Sequence, residues 1–225
     1  MLAGTARYLM DARYRDATHL RLFHREALFQ TSTKTWLGRY PHLFACLAGR
    51  LGEGAGLNLL SFGCSIGAEV VALHGALPMA RITGIDISAR ALRIARREIQ
   101  DPQVRFVRGA RAGDAGDPHY DVILCLAVLQ RGEVTKLRPN DCSAFITFEK
   151  FERAILELDA HLKPGGLLAL SHCNFRLADT RVGANYVPIL SSLPHPYDRT
   201  IYGTDNRLLT APPDRSILFQ KAGAG

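Results

Sequence analysis

The rhythm of hydrophobic positions along the chain changes near residue 57. Before it, apolar and aromatic side chains recur at helical spacing. Tyr8, Leu9, Ala12, Leu20, Phe23, Ala27 and Leu28 predict a helix over 5–30. Leu43, Phe44, Leu47 and Leu51 stand at i, i+1, i+4 and i+8 and predict a second helix over 40–51. The polar stretch 31–35 separates the two, and Gly52, Gly54 and Gly56 end the second. Beyond this point short apolar runs alternate with amphipathic stretches. Strands are predicted at 57–62, 81–85, 104–107, 120–126 and 167–171. Helices are predicted at 68–77, with Val70, Val71 and Leu73, and at 148–161, with Phe151, Ala154, Ile155 and Leu158 on one side. Between them lies a helix at 89–99 that turns Leu92, Ala95 and Ile99 inward and Arg90, Arg93 and Arg97 outward. The run 120–126 is almost wholly apolar, as a strand covered on both faces requires. Residues 163–166, Lys-Pro-Gly-Gly, read as a turn, and 200–209 with 216–220 as a closing antiparallel pair.

This repetition dictates an α/β class. Parallel neighbours need crossover connections, and here the crossovers are helical. The expected architecture is a doubly wound, mostly parallel, seven-stranded Rossmann-like sheet with helices on both faces, preceded by an N-terminal helical segment. Residues 1–52 form that segment, a candidate lid, and 53–225 a single compact domain, because no Pro/Gly/Ser-rich linker divides them. In such sheets ligands lie at the carboxyl ends of the strands, where the strand order reverses. Gly63, Asp86, Ala110 and Leu126 all follow predicted strand ends.

Chemistry concentrates there. In Leu59-Leu60-Ser61-Phe62-Gly63-Cys64-Ser65-Ile66-Gly67-Ala68-Glu69, a strand runs through a glycine turn into a helix. Gly63 permits the sharp turn and removes a side chain where a ligand would lie, while Gly67 allows close approach at the helix start. Amides at that start, including those of Cys64 and Ser65, suit polar or anionic ligand groups. A plain strand–helix turn is the alternative. In Ile82-Thr83-Gly84-Ile85-Asp86-Ile87-Ser88, an acid closes the second strand about 20 residues after the glycine loop, where it can accept hydrogen bonds from ribose hydroxyls. A turn residue is its simpler role. Loop and acid together suit an adenosine-containing ligand.

Four motifs in order, LLSFGCSIGAE, ITGIDIS, YDVILCLAVL and LKPGGLLALSH, resemble the class I S-adenosylmethionine-dependent methyltransferases over about residues 57–173. The glycine loop is most similar to that of the chemotaxis-receptor glutamate methyltransferases, which carry S-x-G-C-S-T-G-E-E. Ser61, Ser65 and Glu69 stand at matching positions. The resemblance implies the methyltransferase version of the sheet and S-adenosylmethionine as cofactor, with S-adenosylhomocysteine as product. It implies contacts from Gly63, Cys64, Ser65, Gly67, Asp86, Ile87, Ala110, Arg111, Leu126 and Ala127, and brings Glu69 toward the methionyl amino group. Glu69 serves equally as a helix-start acid. The chemotaxis family's Arg-Asn pair after the fourth strand is replaced here by Leu126 and Ala127, which argues against receptor glutamates as acceptors. Ala110 stands where an acid or amide often reads adenine, leaving apolar contacts, backbone, or Asp114 if its loop folds back. Phe106 and Ile87 are candidates to flank the base, and sheet core is the alternative for both. No (N/D)PP(Y/F) sequence follows the fourth strand, which weakens a nucleobase-amine acceptor. Thr33 and Arg39 are candidate polar contacts from the lid.

His172 follows the fifth strand beside the expected methyl donor and is the candidate catalytic base, its ordinary pKa being near neutrality. The acceptor pocket is expected from 130–148, the N-terminal segment and 176–213, with Tyr186, His195, Tyr197 and Tyr202 as pocket or packing residues. The predicted activity is methyl transfer to oxygen or nitrogen of a small molecule or peptide. RNA methylation through the Arg90/Arg93/Arg97 face and a non-catalytic nucleotide- or RNA-binding role are the alternatives.

Composition narrows this only slightly. The chain has 225 residues and a net charge of +7; five of its 28 basic residues are lysine, so the excess is arginine. That could attract RNA or an acidic partner, but an arginine-rich composition explains it as well, and nucleic acid is not the favoured partner. Cys46, Cys64, Cys125, Cys142 and Cys173 form no CxxC pair or zinc spacing, so buried thiols in a reducing compartment are expected and a metal is not. No apolar run approaches a membrane span, and Asp11 and Asp16 interrupt any secretory pattern. The expectation is a cytoplasmic protein acting off the membrane.

Overall fold

Among the described residues, seven strands form one sheet: β1 (Asn58–Phe62), β2 (Arg81–Asp86), β3 (Val104–Arg108), β4 (Tyr120–Leu126), β5 (Leu162–Ser171), β6 (Tyr186–Ser191) and β7 (Ser216–Lys221). Their spatial order is β3-β2-β1-β4-β5-β7-β6. The computed structural model describes residues 11–23, 28–29, 38–116, 119–191, 200–210 and 215–223. The first five strands pair in parallel, and β7 runs antiparallel between β5 and β6. The order reverses between β1 and β4, so their carboxyl ends frame the crevice where such sheets hold ligands.

Alternation sends neighbouring residues to opposite faces, and both faces are covered. On one face Leu59, Ile82, Val122 and Leu124 pack beneath α2 (Pro41–Leu51), α3 (Ala68–Ala76) and α4 (Ala89–Glu98), meeting Leu43, Leu47, Val70, Leu73 and Leu92. On the other, Leu60, Ile85, Ile123 and Cys125 pack with Phe151, Ile155 and Leu158 of α6 (Phe148–His161). The helix starts have chemical reasons. Ser88 caps α4 by accepting from the Ala91 amide at 2.9 Å, and Thr147 caps α6 by accepting from the Lys150 amide at 3.3 Å. Proline opens α2, where a missing amide hydrogen costs nothing. Ahead of these, α1 (Ala12–Phe23) falls within the helix expected over 5–30, but Leu28 and Phe29 are not helical.

Two expectations about the later strands need correction. The closing pair is β6 with β7, not 200–209 with 216–220. Pro188 obscured β6, because proline lacks a ladder donor; β6 lies at the sheet's edge, where that loss is tolerated. The segment 200–210 instead forms a short reversal with an isolated Tyr202–Leu208 bridge. The expected turn at 163–166 is absorbed into β5 as an irregularity opposite Tyr120 and Val122, with Gly165 at φ +76°. The stretch after β4 carries a short helix, α5 (Gly132–Leu137).

Candidate cofactor cradle and acceptor wall

The first strand exits into Gly63 at φ +69°, a left-handed conformation that favours glycine. A Cβ there would lie 2.5 Å from Cγ2 of Val128, so the glycine also lets the loop after β4 pack against the loop after β1. Gly67, at φ +87°, opens α3; its absent Cβ would meet Ala95 of α4 at 2.9 Å. Glycine therefore serves two close approaches here.

Between these glycines, the Ser65 amide donates to Oδ2 of Asp86 at 2.8 Å, and the Ser88 amide donates to Oδ1 at 2.8 Å. One carboxylate thus joins the loop after β1 to the turn after β2. Burial pushes the Asp86 carboxyl above its ordinary value; the Ser88 and Ser65 amides pull it back and Asp16 pushes it further up. Asp16 belongs to α1, and its Oδ2 accepts from Ser88 Oγ at 2.6 Å, which brings the helical segment over the second strand's exit. Glu69 is buried at the start of α3. Burial also raises the Cys64 thiol, with Asp86 and then Glu69 adding to it, so the three groups share one low-dielectric corner. The buried Oγ of Ser65 has no hydrogen-bond partner. A buried hydroxyl left so is destabilising unless a ligand completes it.

The third strand's exit is already satisfied. Asp114 folds back, but onto its own chain, and its Oδ2 accepts from the Ala110 and Arg111 amides at 2.8 and 3.0 Å. Phe106 fills the space over Gly84, its Cδ1 lying 2.8 Å from where a Cβ would be, which makes it part of the packing beneath the loop. Ile87 is half-buried beside Asp86, and its carbonyl accepts from Arg108 Nε at 3.3 Å.

Across the crevice, Leu126 ends β4 and Ala127 follows at φ +59°, its amide bonded to the Ser171 carbonyl at 2.8 Å. His172 follows β5 at φ +56°. Its Nδ1 lies 2.9 Å from Ser171 Oγ and 3.2 Å from Tyr40 Oη, and Arg39 stacks over the Tyr40 ring at 5.1 Å. Ser65, at φ +51°, Ala127 and His172 are three non-glycine left-handed residues, each just beyond a parallel strand. Thr33 and the tyrosine–histidine pair Tyr197 and His195 lie outside the described residues.

The expected acceptor segments do meet. Asn174 is buried; its Oδ1 accepts from the Arg131 amide at 2.7 Å and its Nδ2 donates to the Thr200 carbonyl at 3.3 Å. The Leu28 carbonyl accepts from both Arg131 Nη2 at 3.3 Å and Lys150 Nζ at 2.9 Å, and Lys150 lies over the Phe29 ring at 4.7 Å. Asn206 Oδ1 accepts from the Phe148 amide at 2.6 Å, adding a second cap to α6. Tyr186 and Tyr202 pack rather than line a pocket: both are buried, with hydroxyls donating to Asp159 and to the Pro139 carbonyl. Among the described residues no His/Cys/Asp/Glu cluster is arranged to hold a metal ion, and no helix is long and apolar enough to cross a membrane.

Residues 60–168, which hold the glycine loop, Asp86 and the reversal of strand order, match the family model described as a methyltransferase domain. The chain is similar to an uncharacterized protein of Synechococcus sp., 30% identical over 134 residues, which are 59% of this chain and 29% of that one. Among solved structures, S-adenosylmethionine-bound CalS10, an amino pentose methyltransferase from Micromonospora echinaspora, matches at 23% identity and TM-score 0.44 over 62% of this chain and 51% of its own. A Haloferax volcanii complex of the Trm112 methyltransferase activator with a putative methyltransferase matches at 17% identity and TM-score 0.44, over 75% and 60%. A Mesorhizobium loti S-adenosylmethionine-dependent methyltransferase matches at 19% and 0.37, over 56% and 50%. The chain thus spans under a third of the curated relative and half to three-fifths of these structures.

Within residues 60–168, the fold brings Gly63, Cys64, Ser65, Gly67, Glu69 and Asp86 together. Ile87, Ala110, Arg111, Leu126 and Ala127 stand at the neighbouring strand exits. Sequence reasoning gave no role to Asp16, Tyr40, Val128, Lys150, Asn174 or Asn206. Asparagine beside a strand exit is a modest signal for a loop-tying amide. Lys150 and Asp16 had none, because their partners are distant in the chain.

Proposed function

We propose that this chain binds S-adenosylmethionine and transfers its methyl group to a small-molecule or peptide acceptor. The observation that carries this reading is the Asp86 carboxylate held by the Ser65 and Ser88 amides. Two carboxylate oxygens offer about four acceptor sites. Each amide uses one site per oxygen, which leaves one on each for a pair of ribose hydroxyls. The partnerless Ser65 Oγ and the missing Cβ at Gly63 fit a ligand lying along the loop. Glu69 would take the methionyl amino group, Ile87 would lie against the base, and Ala110 and Arg111 would offer it surface, their amides being already bonded to Asp114. Leu126 and Ala127 would border the sulfur end, with Arg39 and Thr33 contributing from the lid. Residues 1–52 act as that lid, and 53–225 as the catalytic domain. The loop follows the chemotaxis-receptor type at Ser61, Ser65 and Glu69, without that family's Arg-Asn pair.

Bound S-adenosylmethionine supplies an activated methyl on a sulfonium, so the protein's share is alignment and exclusion of water. His172 is placed for the acceptor. The Ser171 and Tyr40 hydroxyls both lie within hydrogen-bond reach of Nδ1, and with either one donating to it the ring carries its proton on Nε2. In that tautomer His172 would orient an acceptor carboxylate, which needs no base, by donating to one of its oxygens; with the proton on Nδ1 instead, Nε2 would take the proton of an acceptor hydroxyl or ammonium. Titration calorimetry with S-adenosylhomocysteine tests the reading: saturable binding, weakened by Asp86→Ala, is expected, and its absence in the wild-type chain overturns it.

A further inference from the structure

At the opposite end of the sheet, one crossover differs from the others. The connections from β1 to β2, from β2 to β3 and from β4 to β5 each carry a helix, whereas the described residues between β3 and β4 carry a four-residue 3₁₀ turn at Ala112–Ala115 and no α-helix. That turn is drawn toward α6, where the Gly113 amide donates to Glu157 at 3.2 Å. Among the described residues no helix covers the amino-terminal ends of β2 and β3 on this face. The register places Asn58 beside Arg81 and Thr83 beside Arg105, all on the same side. A groove of about 380 Å3 opens over them, bounded by Asn58, Arg81, Thr83, Gln103, Arg105 and Gly116. This volume is within the usual range for small-ligand sites.

Its polar lining is built for an anion. Arg105 Nε donates to Oγ1 of the buried Thr83 at 2.9 Å, which fixes the guanidinium while leaving its terminal nitrogens for a ligand. Among the described residues no carboxylate lines the groove, and the nearby acids are occupied. Asp121 is paired with Lys163 at 2.8 Å, and Asp101 accepts from the Gln103 amide at 2.8 Å and faces His74 at 3.5 Å. Two guanidiniums and two amide side chains match the charge and oxygens of a phosphate better than those of a single carboxylate.

We propose that the groove between Arg81 and Arg105 binds a phosphate monoester, at a site separate from the strand ends that carry Gly63 and Asp86. Calorimetry on the full chain with phenyl phosphate and inorganic phosphate tests it at physiological ionic strength. Saturable binding of phenyl phosphate is expected, tighter than that of phosphate because the groove is larger than the anion. Arg81→Gln and Arg105→Gln should each weaken it at least tenfold, Arg105→Lys less, and Arg90→Gln not at all. Thermal melts check that the variants fold, and S-adenosylhomocysteine affinity in them should be unchanged. The proposal is overturned by absent saturable binding, by equal loss in Arg90→Gln, by retention in both glutamine variants, or by displacement of phenyl phosphate with S-adenosylhomocysteine.

Discussion

The two walls of the crevice are assembled by different means. The cradle wall, from Gly63 to Asp86, is local: two consecutive strand exits, two glycines and one carboxylate that gathers backbone amides. The acceptor wall is held by side chains reaching across the molecule. Asn174 joins Arg131 to Thr200, Asn206 joins the 200–210 reversal to α6, and Arg131 and Lys150 share the Leu28 carbonyl. Backbone geometry suits a ligand part that does not change, whereas loops tied by single side chains can be re-tied for a different acceptor.

The largest expected effect comes from breaking the cradle at its tightest point. Gly63→Ala combines a left-handed backbone with a Cβ set against Val128, and should cost roughly 2–4 kcal/mol of stability in urea unfolding. Val128→Ala in the same chain should recover the steric part, and no recovery would mean that the close approach is not the cause. Next is Asp86→Ala, expected to weaken S-adenosylhomocysteine by roughly tenfold to a hundredfold, since charge-assisted hydrogen bonds are lost. On the other wall, Asn174→Ala strands the Arg131 amide and should cost about 1–3 kcal/mol while leaving cofactor affinity in place. A parallel loss of affinity would show that the walls are one unit.

Acidification gives a smaller, signed effect. Asp86 has a raised carboxyl pKa in the folded chain, so it takes up its proton earlier than an ordinary aspartate as pH falls. Ribose binding should weaken in that same window. The folded state there binds the proton more readily than the unfolded chain, so the stability Asp86 withholds as a buried charge is regained as pH falls through its folded pKa. Loss of affinity without loss of Tm, measured across the window, separates ligand release from unfolding. Ala127→Gly should be smallest, a gain within about 1 kcal/mol, because relief of the left-handed backbone is partly offset by a freer unfolded chain.

The cradle was legible because its signals are local: a glycine turn after an apolar run, then an acid closing the next run. β1 to β4 emerged from the same rhythm, and β4 and α6 with their boundaries intact. β6 was hidden by Pro188, whose cost vanishes only at an edge that sequence cannot locate. Asp114 was one alternative for holding the adenine if its loop folded back; its carboxylate instead accepts from the Ala110 and Arg111 amides. The ties made by Asn174, Asn206 and Lys150 span dozens of residues or more and leave no periodic trace.

Ser65, Ala127 and His172 share one further property: each holds a conformation that a chain of L-residues resists, at the rim where β1, β4 and β5 finish. A sequence tuned only for robustness would place glycine at all three. Keeping side chains there trades resilience for a rim whose outline is fixed before any guest arrives, so variants selected for heat tolerance alone should drift first at these three positions and blunt the crevice as they do.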